Sequence, residues 1–75
     1  MYVNVTRQED LDYLLEVLEE KGYQWFNGHS PTSRFVMSSR ILDEGVTLGI
    51  SKIRHTIRGS YFDADTGFNE IFDLI

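Results

Sequence analysis

The chain contains no cysteine, which removes both a disulfide framework and a thiolate metal site as means of holding a small fold together. It lacks any stretch approaching the roughly 18 consecutive apolar residues of a membrane span. Its opening, M-Y-V-N-V-T, has neither the basic segment nor the apolar core of a signal peptide. A reducing, cytoplasmic setting without membrane contact is the resulting expectation. Signatures of chemistry are missing as well. No H-E-x-x-H, G-x-S-x-G, Walker A or G-x-G-x-x-G pattern occurs. The two histidines, His29 and His55, have no ligand or triad partner at a recognisable spacing. The expectation is a protein that is not an enzyme, with no catalytic residue, no cofactor and no metal.

Positive charge is also short. Twelve acids against seven Lys and Arg leave a net charge of −5 and a pI near 4.7, which disfavours direct contact with nucleic-acid phosphates. The charge is unevenly placed. Residues 1–33 carry −4, residues 34–58 carry +3 through Arg34, Arg40, Lys52, Arg54 and Arg58, and residues 59–75 carry −4.

What the chain does have is the means to fold. Its 75 residues make one domain near the lower size for a self-sufficient core. Five Phe, four Tyr and one Trp supply large buried areas to compensate. Met1 to Val5 alternates like a short half-buried strand. Thr6, with Glu9 three residues on, fits a capping box for a helix over 7–21. In that helix Leu11, Leu14, Leu15 and Leu18 recur at the i, i+3, i+4, i+7 spacing of a single face. Tyr13 and Val17 broaden the stripe, and Gly22 supplies a left-handed terminus.

Tyr23 to Phe26 reads as a second strand with Tyr23 and Trp25 on the core side, parallel to the first through a helical crossover. Asn27-Gly28 marks a turn. From Gly28 to Gly45 the periodicity fails, which predicts a long loop with one short element around Phe35 to Met37. Val46 to Ile50 and Thr56 to Phe62 alternate as the arms of a hairpin. A last helix presents Phe68, Ile71, Phe72 and Ile75 on one side, with Asp65 or Thr66 as its cap. The expected fold is α+β: a small mixed or mainly antiparallel sheet of three or four strands, covered on one face by one helix, plus a short C-terminal helix at an edge.

Three constellations stand out. The outer face of the first helix gathers Asp12, Glu16, Glu19 and Glu20; as a solvated helix face it is ordinary, and as a recognition face it suits a basic partner or imitates nucleic acid. Trp25, Phe26, Phe35 and Met37 flank the long loop and belong either to the core or to an apolar interface patch. Asp63-Ala64-Asp65-Thr66-Gly67 begins like a calcium loop. Such a loop requires Gly at its sixth position and Glu at its twelfth, where this chain has Thr-Gly a place early and Leu74, so a capping turn is the better reading.

The run E-D-L-D-Y-L-L-E-V-L-E-E-K-G-Y-Q-W-F-N-G-H-S-P-T-S, with the later V-T-L-G-I and T-I-R-G-S, resembles small uncharacterised proteins encoded in prophages and temperate phages of Gram-positive bacteria. The resemblance implies a phage accessory role in the bacterial cytoplasm and brings no catalytic residues with it. The leading expectation is a non-enzymatic accessory protein that binds another protein, through a surface drawn from Asp12, Glu16, Glu19, Glu20, His29, Arg34, Phe35, Arg54 and Arg58. Unpaired sheet edges would make a homodimer accessible. The alternatives are an acidic inhibitor occupying a nucleic-acid-binding surface, and a small nucleotide or ligand binder using Trp25, His29 and the basic segment.

Overall fold

A computed structural model describes residues 1–33, 45–60 and 62–75. The element order is β1 (Tyr2–Val5), α1 (Gln8–Glu20), β2 (Gln24–Trp25), β3 (Val46–Ser51), β4 (Thr56–Ser60) and α2 (Phe68–Leu74). The expected α+β architecture is present: a four-stranded mixed sheet in the order β1-β3-β4-β2, with a long and a short helix.

The leucine stripe of α1 decides the layering. Leu11, Leu14, Leu15 and Leu18 are all buried, and they cover the sheet face formed by Val3, Val5, Leu48, Ile50, Ile57 and Trp25. A fully buried side chain of this size contributes about 1.5–3 kcal/mol, so this contact is the main stabilising feature of the domain. α2 joins the same helical layer. Its Ile71 is fully buried, and Phe72 places its ring 5.4 Å from that of Tyr13 on α1.

α1 carries the chain from one side of the sheet to the other. β1 and β2 run parallel, as a helical crossover requires, and both hairpin strands lie between them. The turn out of α1 makes this possible. Gly22 takes φ +87, its N–H bonds to Glu19 O, and Tyr23 N–H bonds to Leu18 O. This crossed pair is a Schellman closure, with Leu18 and Tyr23 both buried beside it. Tyr23 and Trp25 then point into the core while Gln24 and Phe26 point away.

Two expected caps are placed differently. The N-cap of α1 is Arg7, not Thr6, because the chain stays extended through Arg7 and the first helical bond runs from Leu11 N–H to Arg7 O. No side chain caps that end, and Glu9 pairs with Arg7 instead. The N-cap of α2 is Gly67, whose N–H donates to Glu70 Oε1 at 3.1 Å. Asp65 and Thr66 are held by β1: Tyr2 N–H donates to Asp65 Oδ1 at 2.8 Å, and Tyr2 O accepts the N–H groups of Asp65 and Thr66.

The last strand is also shorter than its alternation suggested. β4 ends at Ser60, and Phe62 lies beyond it. The hairpin turns at 52–55, with His55 at φ +52. The expected short element around Phe35 to Met37 lies outside the described residues.

Two substitutions of glycine separate backbone strain from crowding. Gly45 has φ +80, and a Cβ there would sit 2.6 Å from Val5 O, whereas Gly22 has open space around it. Gly22→Ala should cost about 1–2 kcal/mol for its left-handed backbone. Gly45→Ala should cost about 2–4 kcal/mol because overpacking is added; urea unfolding of the two variants compares them directly. A second prediction concerns Tyr23, whose hydroxyl is buried without a hydrogen-bond partner among the described residues. Tyr23→Phe should raise stability by about 1 kcal/mol, seen as a Tm increase of roughly 4–8 °C. Burial pushes the Tyr23 hydroxyl above its ordinary value of 10.0. The stability linked to its neutral form is therefore complete below pH 10 and is lost as pH rises through the folded-state value.

Candidate functional site

Both helices lie on one side, so the second face of the sheet is covered by no described element. Period-2 alternation sends the non-core residue of every strand there: Tyr2 and Asn4, Gln24, Thr47, Gly49 and Ser51, Thr56, Arg58 and Ser60. The register aligns them in rows. Tyr2 pairs with Gly49 and Gly49 with Arg58. The parallel match of Trp25 with Ile57, continued by the bond from Phe26 N–H to Ile57 O, brings Phe26 alongside Arg58. One row thus crosses the whole sheet as Tyr2, Gly49, Arg58, Phe26.

Gly49 shapes this row by having no side chain. A Cβ at Gly49 would lie 3.2 Å from Tyr2 Cε1 and 3.5 Å from Arg58 Cγ. The Tyr2 ring and the Arg58 stem lean over the glycine backbone from either side. The result is a groove of about 410 Å³ with Tyr2 and Phe26 at its ends, Arg54 and Arg58 on its walls, and Ser51 and Thr56 beside them. Phe26 is 69% exposed. Phe62, 63% exposed, stands 5.3 Å from Tyr2 between ring centroids and extends the aromatic end. The guanidinium groups of Arg54 and Arg58 have no ion-pair partner among the described residues.

Each edge strand is capped at one residue by its own chain. On the β1 side, the 65–66 segment occupies the outer N–H and C=O of Tyr2, and Thr66 bridges to Val3. On the β2 side, Trp25 N–H donates to His29 O at 2.8 Å and Trp25 O accepts Gly28 N–H at 2.8 Å. At Tyr2 and Trp25, therefore, the outer backbone groups are taken by a segment or turn of the same chain. Asn27 Oδ1 accepts His29 N–H and completes the Asn-Gly turn.

The expected site residues separate into three groups. Asp12, Glu16, Glu19 and Glu20 are exposed on the outside of α1, as read from the sequence. Two of them have local partners: Gln8 Nε2 donates to Asp12 Oδ1 at 3.0 Å, and Thr32 Oγ1 donates to Glu19 Oε2 at 2.6 Å. Arg54 and Arg58 lie on the opposite side, in the groove. Arg34 and Phe35 lie outside the described residues, and His29 is exposed at the β2 turn, away from the groove-lining set.

Trp25, expected as a ligand contact of a nucleotide binder, is 2% exposed and donates Nε1–H to Pro31 O at 3.0 Å. It is core, which leaves Phe26 as the outward aromatic of its strand. Tyr2, Gly49 and Thr56 were not singled out from the sequence. Their signal was strand phase, each being the out-of-phase neighbour of a core residue, but phase does not say which strands lie side by side.

The helix acids and the groove arginines project from opposite sides of the molecule. Among the described residues, the acids of α1 lie on the helical side while Arg54 and Arg58 line the groove on the open sheet. Among the described residues no three His, Asp or Glu side chains gather where a metal ion could be held, and no helix is long and apolar enough to cross a membrane. Comparison with protein-family models, curated proteins and solved structures found no match for this chain.

The Asp65 clamp on Tyr2 also makes the aromatic end of the groove acid-sensitive. The Tyr2 N–H bond, followed by the Thr66 hydroxyl, holds the Asp65 carboxyl below its ordinary value of 3.8. The stability this contributes is complete above the unfolded-state value and is lost as pH falls through the lower folded-state value. Asp65→Asn should be less stable than wild type at pH 7, and the gap should narrow below about pH 4. Urea unfolding at a series of pH values measures it.

Proposed function

We propose that this chain is a non-enzymatic binding protein that docks a partner protein on the open face of its sheet. The observation that carries the reading is the row Tyr2, Gly49, Arg58, Phe26 on a face that no described element covers, with Arg58 and Phe26 exposed and Tyr2 half-buried over the buried Gly49. Tyr, Phe, Met and Arg are the residue types enriched in the energetic centres of protein interfaces. Here Tyr2, Arg58 and Phe26 share one row instead of being scattered singly. With the outer backbone groups of Tyr2 and Trp25 already bonded, addition of a partner strand at those residues is disfavoured as a binding mode. Docking by side chains on the face is what the fold leaves available.

The acidic outer face of α1 supports an inhibitor of the nucleic-acid-mimicking kind less well, since Asp12 and Glu19 already accept hydrogen bonds from Gln8 and Thr32. The phage accessory role implied by the K-G-Y-Q-W resemblance, and the bacterial cytoplasm with it, form part of the same proposal. They also name the lysate in which to look.

Affinity capture from a Gram-positive bacterial lysate tests the reading with two double variants, each checked for native circular dichroism. Phe26→Ala/Arg58→Glu should abolish retention of the partner that wild type holds, and Glu16→Lys/Glu20→Lys should retain it. The reverse pattern would assign the working surface to α1 and overturn the proposal.

A further inference from the structure

Resting on that reading, we infer that the groove receives an acidic peptide segment of the partner, crossing the strands with a flat side chain against the Tyr2 ring and carboxylates on Arg54 and Arg58. Four observations lead there. First, two guanidiniums line one groove with no ion-pair partner among the described residues. In a chain of net charge −5, a pair of cations left without carboxylates is a local inversion of sign. Guanidinium forks match carboxylates bidentately.

Second, the helix acids project from the other side of the molecule, so they do not neutralise these arginines directly, and surface charges farther apart than about 10 Å are largely screened at 0.1 M salt.

Third, the length fits. From β1 to β2 the row crosses three inter-strand gaps, about 14 Å at roughly 4.8 Å each. An extended peptide covers that distance with about four residues at roughly 3.3 Å per residue. Fourth, the floor fits. Gly49 is buried and lets the Tyr2 ring and the Arg58 stem close over its backbone, so the floor is an aromatic ring beside a guanidinium stem, both favourable neighbours for the π-face of a planar side chain.

A nucleic acid strand satisfies the stacking part of this arrangement but not the electrostatic part. Two arginines in a groove of a protein with seven cations and twelve acids give little of the counterion release that polyanion binding depends on. An acidic peptide needs only the two local charges.

Two-dimensional ¹⁵N NMR titration of the whole chain tests the inference with defined probes: the blocked peptides Ac-EEWEE-NH2, Ac-EEGEE-NH2 and Ac-KKWKK-NH2, and a thymidine hexanucleotide. Saturable shifts are expected with Ac-EEWEE-NH2 at Tyr2, Phe26, Gly49, Thr56 and Arg58. Affinity should be at least tenfold weaker for the glycine peptide and for the lysine peptide. Arg54→Glu/Arg58→Glu and, separately, Gly49→Val should each lose at least tenfold while keeping native spectral dispersion. Gly49→Val keeps both charges but pushes aside the Tyr2 ring and the Arg58 stem that close over the glycine, whereas the arginine variant reverses the charges, so the first tests the shape of the floor and the second its electrostatics.

Equal binding of the lysine peptide, shifts confined to α1, tighter binding of the hexanucleotide, or no shift with Ac-EEWEE-NH2 would each overturn it. If the peptide fails while lysate capture still depends on Arg58, the docking face stands and the acidic segment is wrong. If capture is indifferent to Arg58, the docking face itself is wrong.

Discussion

Burial of four leucines of α1 against one face of a four-stranded sheet is the constraint on which the other features of this small domain depend. A helix of 13 residues covers one face of a sheet about four strands wide and no more. The chain spends its second helix on the same side, where Phe72 meets Tyr13 and Ile71 completes the core. Among the described residues no element covers the opposite face. Its residues had to be compatible with water, yet the set includes Tyr2 and Phe26 together with Arg58.

The same constraint explains the treatment of the edges. A two-helix layer cannot also wrap the sides of the sheet, and open edges invite pairing with other chains. This chain caps each edge strand at one residue. Asp65 and Thr66 fold back on Tyr2, and the Asn27-Gly28 turn folds back on Trp25. These closures occupy the outer backbone groups of Tyr2 and Trp25. They also fix Tyr2 and Phe26, since each aromatic of the groove sits next to one of the two closures.

Much of the fold was legible in the residues. The leucine spacing placed α1, Gly22 marked its end, and the phase of Tyr23 and Trp25 against Gln24 and Phe26 assigned core and exterior correctly. The caps were less legible, because a capping side chain competes with other partners that come from far away. Asp65 has the chemistry of an N-cap, but the Tyr2 N–H arrives from 63 residues earlier and takes its carboxylate. Thr6 has the chemistry of an N-cap too, and the chain remains extended for one residue more. Among the candidate site residues, Arg54 and Arg58 were visible as charge, and Phe26 as an aromatic beside a turn. Tyr2 and Gly49 were not visible, having no motif or spacing to mark them.

By itself the sequence determined the period and polarity of each element: which side of each helix and strand is apolar, that α1 ends at a left-handed Gly22, and that the net charge is negative. Those are local properties, set by side-chain chemistry and by the 3.6- and 2-residue repeats of the backbone. Only the tertiary structure decided the strand order β1-β3-β4-β2 and the register within it. Register is a long-range quantity, fixed when all four strands present their apolar residues to the same leucine stripe at once. It is register that brings residues 2, 49, 58 and 26 into one row and turns an aromatic at each edge, a glycine and an arginine into a surface.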